Sequence, residues 1–472
     1  MQIGEESSIV GIIVSVYYLG CAVGAVIASW LADKKGRKPS IFTCLATTSL
    51  GNILMFVSGL TLNGSSPWGG AAIALMLTGR VVMGLGVGGI DAVIPVYSSE
   101  LASDGARGRA LAQEFQMNIF GLLMAFSVNL GLTIGLGKDN QWAWRLPIII
   151  MQIFPIVLMS IISRLPETPR WFMSKDRRDD AKQALEFIHG KEEAKPKLDE
   201  LDKATEGESD EKVGYADMLT PGGSQFHPTV ITVMGQVNQA LTGYGAVSVY
   251  GPQIFELLGF KVRKAEYLTL GNYIFYFLMM TVAWMSIDVL GRRRLMIWGA
   301  IGLATSFALL TIFGGLAQEY PGIPDLVVEI PGSITLYLAT AIFGIGWLAT
   351  VWLIPTEIYP STARAQGSAV SVIVWGLANF AVTLLTPIGF NNLKYWLFLV
   401  FAATNAFAGW WTWRYTPESG GRSFEENQEF FNSAADDKSW SVRKVDHGKF
   451  LRMPKAKGDG EEEEPLLRGR SS

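Results

Sequence analysis

The chain has 472 residues, 49% of them hydrophobic and only 17% charged, with a formal net charge of −3. Soluble domains carry roughly 25% charged residues, so this composition, with a mean hydropathy of +0.27, is that of an integral membrane protein. The small net charge and the scatter of basic residues in short clusters argue against a nucleic-acid partner.

A helix needs about 20 apolar residues to cross a bilayer. Such runs occur at Ser8–Ala32, Ile41–Leu60, Ala71–Val96, Ala110–Gly137 and Leu146–Ser163. A polar stretch, 164–228, interrupts them, with Lys182 to His189 helix-like. Runs resume at Val230–Phe255, Tyr267–Ile287, Leu295–Ala317, Ile334–Thr356, Ala365–Phe390 and Tyr395–Trp413. Each is expected to be helical, because a lone strand would leave its backbone groups unpaired in lipid. The expected units are 8–163, a helical linker 164–228, 229–413 and a tail 414–472. Cys21 and Cys44 lie in apolar runs and define no disulfide framework. His189, His227 and His447 lie outside them, which argues against an intramembrane metal site.

Lys and Arg set orientation. One set of alternate loops holds Lys34, Lys35, Arg37 and Lys38, then Arg107 and Arg109, then Arg292, Arg293 and Arg294, then Arg364. The opposite set is poor in them, Lys261, Arg263 and Lys264 excepted. The first set is therefore read as cytoplasmic, with the linker and tail. Ser8–Ala32 then reads as a signal-anchor entering from outside. Asn63-Gly64-Ser65 is a glycosylation tripeptide in an external loop.

The charged caps repeat. Asp33 with Gly36-Arg37 matches Asp288 with Gly291-Arg292. Glu100 stands seven residues before Arg107, and Glu357 seven before Arg364. "PETPRW" from Pro166 matches "PESGGR" from Pro417. Three elements in one order, at nearly one spacing, mark two homologous bundles. Val230 stands 58 residues before Asp288, whereas 32 residues precede Asp33. The shortfall is about one helix with its turn, so the first half is expected to lack its first helix.

Taken together, "ADKKGRK", "DVLGRRR", "GRVVMGLGVGG", "IPVYSSELASDGARGR", "PETPRW", "QALTGYGAVSVYGPQIF", "IPTEIYPSTARAQG" and "PESGGRSFEE" resemble the sugar porter branch of the major facilitator superfamily, from about residue 8 to 426. The resemblance implies an all-α membrane protein of two pseudo-symmetric bundles, eleven spans visible and twelve expected. It also implies transport by alternating access. In that scheme Asp33, Arg37, Glu100, Arg107, Glu167 and Arg170 form a cytoplasmic gating network. Asp288, Arg292, Glu357, Arg364, Glu418 and Arg422 are its second-half counterparts.

The resemblance also locates a sugar site, and this chain departs from it. The family's Gln-Gln pair on the seventh helix falls on Gln239 and Ala240, and its Asn on Gly245. The following aromatic pair becomes Val249 and Tyr250. Of the tenth-helix pattern Trp352 remains. The eleventh-helix Asn-Trp pair becomes Val374 and Trp375. The fifth-helix Gln falls on Phe115, beside Gln116. Gln236, Asn238, Gln116 and Asn272 stand on nearby turns as substitutes. A lone amide also has a plain reading as a helix–helix hydrogen bond, worth ~0.6 kcal/mol on average.

Ionisable groups inside a span point to function. Arg80 matches an arginine that the family's proton-coupled members pair with an acid on the first helix. Asp91 lies about 16 Å further along the helix, too far for a direct pair, and is the second proton-coupling candidate. Glu114 reads as reaching the Arg107–Arg109 cluster. Symport and plain facilitation both stay open.

Residues after Glu426 are polar and lack helical periodicity. In "EEEEPLL", Glu462 stands four residues before the pair Leu466 and Leu467, which resembles an acidic dileucine sorting signal. The plasma membrane is the expected location, with a vacuolar or endosomal membrane as the alternative. No nucleophile–base constellation, phosphate loop or metal cluster is legible, so neither an enzyme nor a cofactor is expected. The expected partners are a sugar-like small molecule, the bilayer and protons. A non-transporting nutrient sensor on the same fold, or a truncated inactive product, are the rival readings.

Overall fold

The computed structural model covers residues 1–472; those described are 6–58, 70–101, 107–137, 140–207, 214–320, 322–420 and parts of 427–451. The first group of helices is α1 (Glu6–Lys35), α2 (Arg37–Val57), α3 (Gly70–Leu101), α4 (Arg107–Leu136), α5 (Trp142–Met151) and α6 (Ile153–Ile162). Short polar helices follow: α7 (Pro169–Met173), α8 (Arg178–His189), α9 (Lys191–Gly207) and α10 (Tyr215–Leu219). The second group begins with α11 (Phe226–Leu241), α12 (Tyr244–Val249) and α13 (Gly251–Leu257). It continues with α14 (Val262–Leu290), α15 (Arg292–Glu319), α16 (Asp325–Phe343), a π-helical turn over Gly344–Leu348, α17 (Ala349–Ile358), α18 (Ser361–Leu393) and α19 (Trp396–Tyr415). Among the described residues, nine stretches are long and apolar enough to cross a membrane. With α19 and the run α11–α13 they make the eleven crossings.

Most helices outrun their apolar stretches. The apolar run of α1 ends at Ala32 but its helix ends at Lys35, because hydrogen bonding within a helix does not stop at the edge of the hydrocarbon. What stops α1 is Gly36, at φ +110°. Gly291 does the same between α14 and α15, at φ +84°. Only glycine adopts this conformation without strain, and a single residue then joins two consecutive spans. There is no room for a side chain either: a Cβ on Gly36 would lie 2.3 Å from Glu167 Oε2, and one on Gly291 would lie 2.4 Å from Glu418 Oε2. The repeated Gly-Arg pair is thus a joint.

The run Val230–Phe255, expected as one continuous span, is broken. Gly243 sits at φ +79° between α11 and α12, and a Cβ there would meet the Phe401 ring at 2.5 Å. Apolar composition reports burial but not helical continuity, so the break is not visible in hydropathy. A second irregularity is the π turn between α16 and α17, whose wider i→i+5 spacing is rare and tends to mark functional sites.

The two groups meet along α1 with α18 and along α4 with α14, and α3 also touches α17 and α18. At the end read as cytoplasmic the approach is tight. A Cβ on Gly108 of α4 would lie 2.1 Å from Asp288 Oδ1 of α14. Ser368 Oγ donates to Ala92 O at 3.3 Å, and Arg109 lies over the Trp284 ring at 4.6 Å. Ala25, Ala92 and Val372 form a small buried cluster beside these contacts.

In the linker, α8 and α9 pair through Ala181, Leu185, Ala194 and Leu198, with Phe172 and Met173 against them. The expectation of a tail without helical order is corrected. Residues 427–428 and 430–432 are helical, and β1 (Lys444–Asp446) pairs antiparallel with β2 (Lys449–Leu451). Trp440 stacks on His227 at 4.6 Å, Phe431 meets the same ring edge-on at 5.1 Å, and Val442 N–H donates to Arg414 O. These aromatics are spaced for a docked segment rather than for an amphipathic helix, so periodicity does not reveal them.

Gly243→Val is expected to lower the melting temperature of the purified protein. The left-handed backbone alone costs a branched residue about 1–2 kcal/mol, and Phe401 must also move. A variant that melts with the parent would mean that the break tolerates an ordinary residue.

Candidate functional site

The charged repeat builds two near-identical nodes. In the first, Arg37 Nη1 donates to Ala32 O at 3.2 Å and to Asp33 Oδ1 at 3.4 Å, and Nη2 reaches Glu100 Oε1 at 3.3 Å. In the second, Arg292 Nη1 donates to Ile287 O at 3.1 Å, and Nη2 reaches Asp288 Oδ1 at 2.9 Å and Glu357 Oε1 at 2.7 Å. Each arginine bonds the carbonyl five residues back, the acid four back, and a glutamate on a third helix. Ser419 Oγ donates to the other oxygen of Glu357 at 2.5 Å.

Glu167 and Glu418 have a different task. Glu167 accepts backbone N–H bonds from Lys38 and Thr168, both at 2.9 Å. Glu418 accepts from Arg292 N at 2.8 Å, Arg293 N at 3.1 Å and Gly420 N at 3.1 Å. Each carboxylate therefore caps the N-terminus of a helix, where unpaired donors and the dipole favour negative charge. Burial pushes both carboxyls above the usual range, while these donors pull them down. Arg170 makes no ion pair among the described residues. Arg364 is buried at the start of α18. The side chain of Arg107, and the whole of Arg422, lie outside the described residues, as do Asn63, Glu462, Leu466 and Leu467.

Between the two groups an aromatic chain crosses the midsection. Phe115 of α4 lies 5.9 Å from Trp352 of α17, Trp352 lies 5.7 Å from Trp375 of α18, and Trp375 lies 5.3 Å from Tyr18 of α1. Both tryptophans are half-buried. The amides are more occupied than their sequence positions suggest. Gln116 is spent on α14: its Nε2 donates to Thr281 Oγ1 at 2.9 Å and Phe277 O at 3.3 Å, and its Oε1 accepts from Trp284 Nε1 at 3.0 Å. Asn272 Nδ2 donates to Thr340 Oγ1, and Tyr250 OH to Thr383 O. Asn238 is buried, with its Nδ2 unpaired among the described residues.

Gln239 Nε2 donates to Trp347 O at 3.0 Å and Leu348 O at 3.2 Å, at the exit of the π turn. Both partners can only accept, so the amide orientation is settled and Oε1 is left as an acceptor. Gln236 Nε2 donates to Ser371 Oγ at 2.6 Å, and its Oε1 is buried without a partner. Sequence reasoning missed Ser371 and the π turn. The Gly-rich "FGIGW" before Trp352 is the only local signal of the latter.

Arg80 Nε donates to Ile13 O at 3.0 Å, and its guanidinium lies 6.0 Å from the Tyr17 ring. Neither Arg80 nor Asp91 has an ion-pair partner among the described residues. Glu114 accepts from Ser98 Oγ at 2.6 Å, and Arg109 is turned onto Trp284. No group of three or more metal-ligating side chains occurs among the described residues.

This geometry, two helix groups closing on each other at one end with charged joints at matching places, is that of a major facilitator transporter. The chain belongs to the sugar (and other) transporter family, whose model matches residues 2–431. It is 28% identical over 432 residues to the major myo-inositol transporter IolT of Bacillus subtilis, covering 90% of this chain and 86% of that one. It is 26% identical over 448 residues to the D-xylose-proton symporter of Escherichia coli, covering 89% and 86%. Among solved structures, the proton:xylose symporter XylE bound to 6-bromo-6-deoxy-D-glucose superposes with a TM-score of 0.72 at 24% identity, covering 90% of this chain and 89% of that one.

Arg292→Ala is expected to destabilise the protein by about 3–5 kcal/mol, the usual cost of stranding a buried charge, here Glu357. Arg37→Ala is expected to cost less, because its bonds are longer. Melting curves of the two purified variants decide this, and a larger loss for Arg37→Ala would reverse the ranking.

Proposed function

We propose that this chain carries a sugar, polyol or sugar-derived acid across a membrane by alternating access. The carrying observation is the Phe115–Trp352–Trp375–Tyr18 chain bridging the two groups beside a glutamine whose carbonyl is left to accept. Aromatic faces suit the apolar side of a sugar ring, and an acceptor suits a hydroxyl donor. Family membership supports the reading, as do relatives named as carriers of myo-inositol and xylose.

In this proposal 8–163 and 229–413 are the moving bundles, 164–228 is a linker on the cytoplasmic face and 414–472 is the tail. Trp352, Trp375 and Gln239 contact the substrate. Gln236 and Tyr250 hold the wall of the site, and Gln116 ties the bundles through α14. The Arg37 and Arg292 nodes, with Glu100, Glu357 and the capping Glu167 and Glu418, stabilise the state closed at the cytoplasmic end. The Arg–Glu pairs are buried, with Arg292 and Glu357 only 4% and 12% exposed, but the hydration that both charges regain when the end opens offsets much of the lost attraction, so such nodes bias an equilibrium without locking it. Protons enter through Asp91 and Arg80, and the plasma membrane is the site of action.

The test is uptake of labelled hexoses, pentoses, inositol and sugar acids by transporter-deficient cells expressing the chain, at two external pH values. Uptake of at least one class is expected, higher at the lower pH. Trp375→Ala should reduce it about tenfold or more, and Trp298→Ala, on the exposed face of α15, should leave it unchanged. Asp91→Asn should abolish the pH dependence. Surface-localised protein that moves none of these solutes would overturn the proposal. Equal uptake by Trp375→Ala would move the site elsewhere, and pH dependence surviving Asp91→Asn would remove that residue from coupling.

A further inference from the structure

Away from the interface between the two groups, a groove of about 480 Å³ opens on the outer, membrane-facing surface of the second group, between α15 and α19. Its walls are Ile297, Ile301 and Ala304 on one helix and Ala406, Trp410 and Trp413 on the other. Its depth comes from Gly409, whose missing side chain lets α19 approach Ala300; an added Cβ there would lie 3.1 Å from the Ala300 Cβ. Apart from Thr305 and Asn405 the lining is apolar, and Trp410 and Trp413 are about half exposed.

The chemistry changes at one end. The residues one helical turn below Ile297 are Arg293 and Arg294, and the residue one turn below Trp410 is Arg414. Arg293 closes this end of the groove, donating from Nη2 to Trp413 O at 2.6 Å and from Nε to Thr416 O at 3.1 Å. Arg294 is exposed, and neither it nor Arg414 has an ion-pair partner among the described residues. Glu418, the acid facing Arg293, is occupied by the backbone N–H groups of Arg292, Arg293 and Gly420. Three cations therefore cluster at the mouth of an apolar slot, at the end that the Lys/Arg rule places in the cytoplasm.

We infer that this groove is a binding site for an anionic glycerophospholipid of the cytoplasmic leaflet. One acyl chain lies between α15 and α19, flanked by Trp410 and Trp413, and the phosphate is held at Arg294 and Arg414. Basic pockets between transmembrane helices on the cytoplasmic side recognise acidic headgroups in this way. A zwitterionic lipid satisfies the apolar slot equally well but presents no net charge to the arginines. Arg293 shapes the mouth, its guanidinium tied to the end of α19, so binding there stiffens the α15–α19 pair against which Arg292 and Glu418 are set. The inference requires only that the chain lies in a membrane in the stated orientation, and does not depend on which solute it carries.

The experiment measures lipid retention directly. The full chain is purified in detergent, titrated with dioleoylphosphatidylglycerol or dioleoylphosphatidylcholine, and examined by native mass spectrometry, with melting curves in parallel. The expected result is retention of the glycerol lipid at several-fold lower concentration than the choline lipid, with a rise in melting temperature. Arg294→Ala and Arg414→Ala are each expected to weaken retention of the anionic lipid roughly fivefold, about one surface arginine's contribution, and together to erase the preference. Ala406→Phe, at an exposed position, should fill the slot and reduce retention of both lipids while leaving the melting temperature without lipid unchanged. Equal retention of the two lipids overturns the inference, as does undiminished preference in the double arginine variant. Undiminished retention in Ala406→Phe moves the acyl chain out of the groove and overturns it as well.

Discussion

Inside a bilayer there is no water to take up a backbone amide or carbonyl, so each must find its partner within the protein. Regular helices meet that demand automatically. Two departures from regularity, at Gly243 between α11 and α12 and at the π turn before α17, are linked. Gln239, one turn before the first break, sends both its amide hydrogens to Trp347 O and Leu348 O at the second. One side chain thereby supports two irregular helices at once. It also fixes the orientation of the amide, because an amide whose donors are committed can only accept.

The same economy operates at the end read as cytoplasmic. Gly36 and Gly291 turn the chain in one residue, which brings an arginine back under the helix it has just left and leaves the next helix's N–H groups exposed. Those groups are capped by Glu167 and Glu418 from far along the chain. Carboxylates at these positions are costly to bury and are retained because several donors converge on each. The second node is the tighter, with Arg292 to Glu357 at 2.7 Å against 3.3 Å for Arg37 to Glu100. The docked tail adds to this asymmetry: Asn427 and Gln428 donate to Glu357 O and Ile358 O, the last carbonyls of α17.

Much of this is legible in the sequence because it is local. Spans follow from uninterrupted apolar length, and the Asp-x-x-Gly-Arg joints stand out because charge is rare in this chain. Other features are silent. "LTGYGAVSVYG" scores as apolar whether or not it is broken. Gln116 and Gln239 look equally available on the page, yet the first is wholly engaged with α14 and the second half engaged with the π turn. The tail's Phe431 and Trp440 show no pattern until His227 is placed between them.

What the sequence by itself determined is therefore a membrane-embedded helical protein made of two related halves, and the resemblance of its motifs to a known family supplied the class, a transporter. Hydropathy and charge bias are properties of neighbouring residues, and the repeat is read by laying one half of the sequence on the other. Which polar groups keep an unpaired end, where helices break and which partners the charged joints find were decided only by the tertiary structure. Hydrogen-bond satisfaction depends on partners that folding brings from another helix, and a carbonyl more than a hundred residues away leaves no mark on the local pattern.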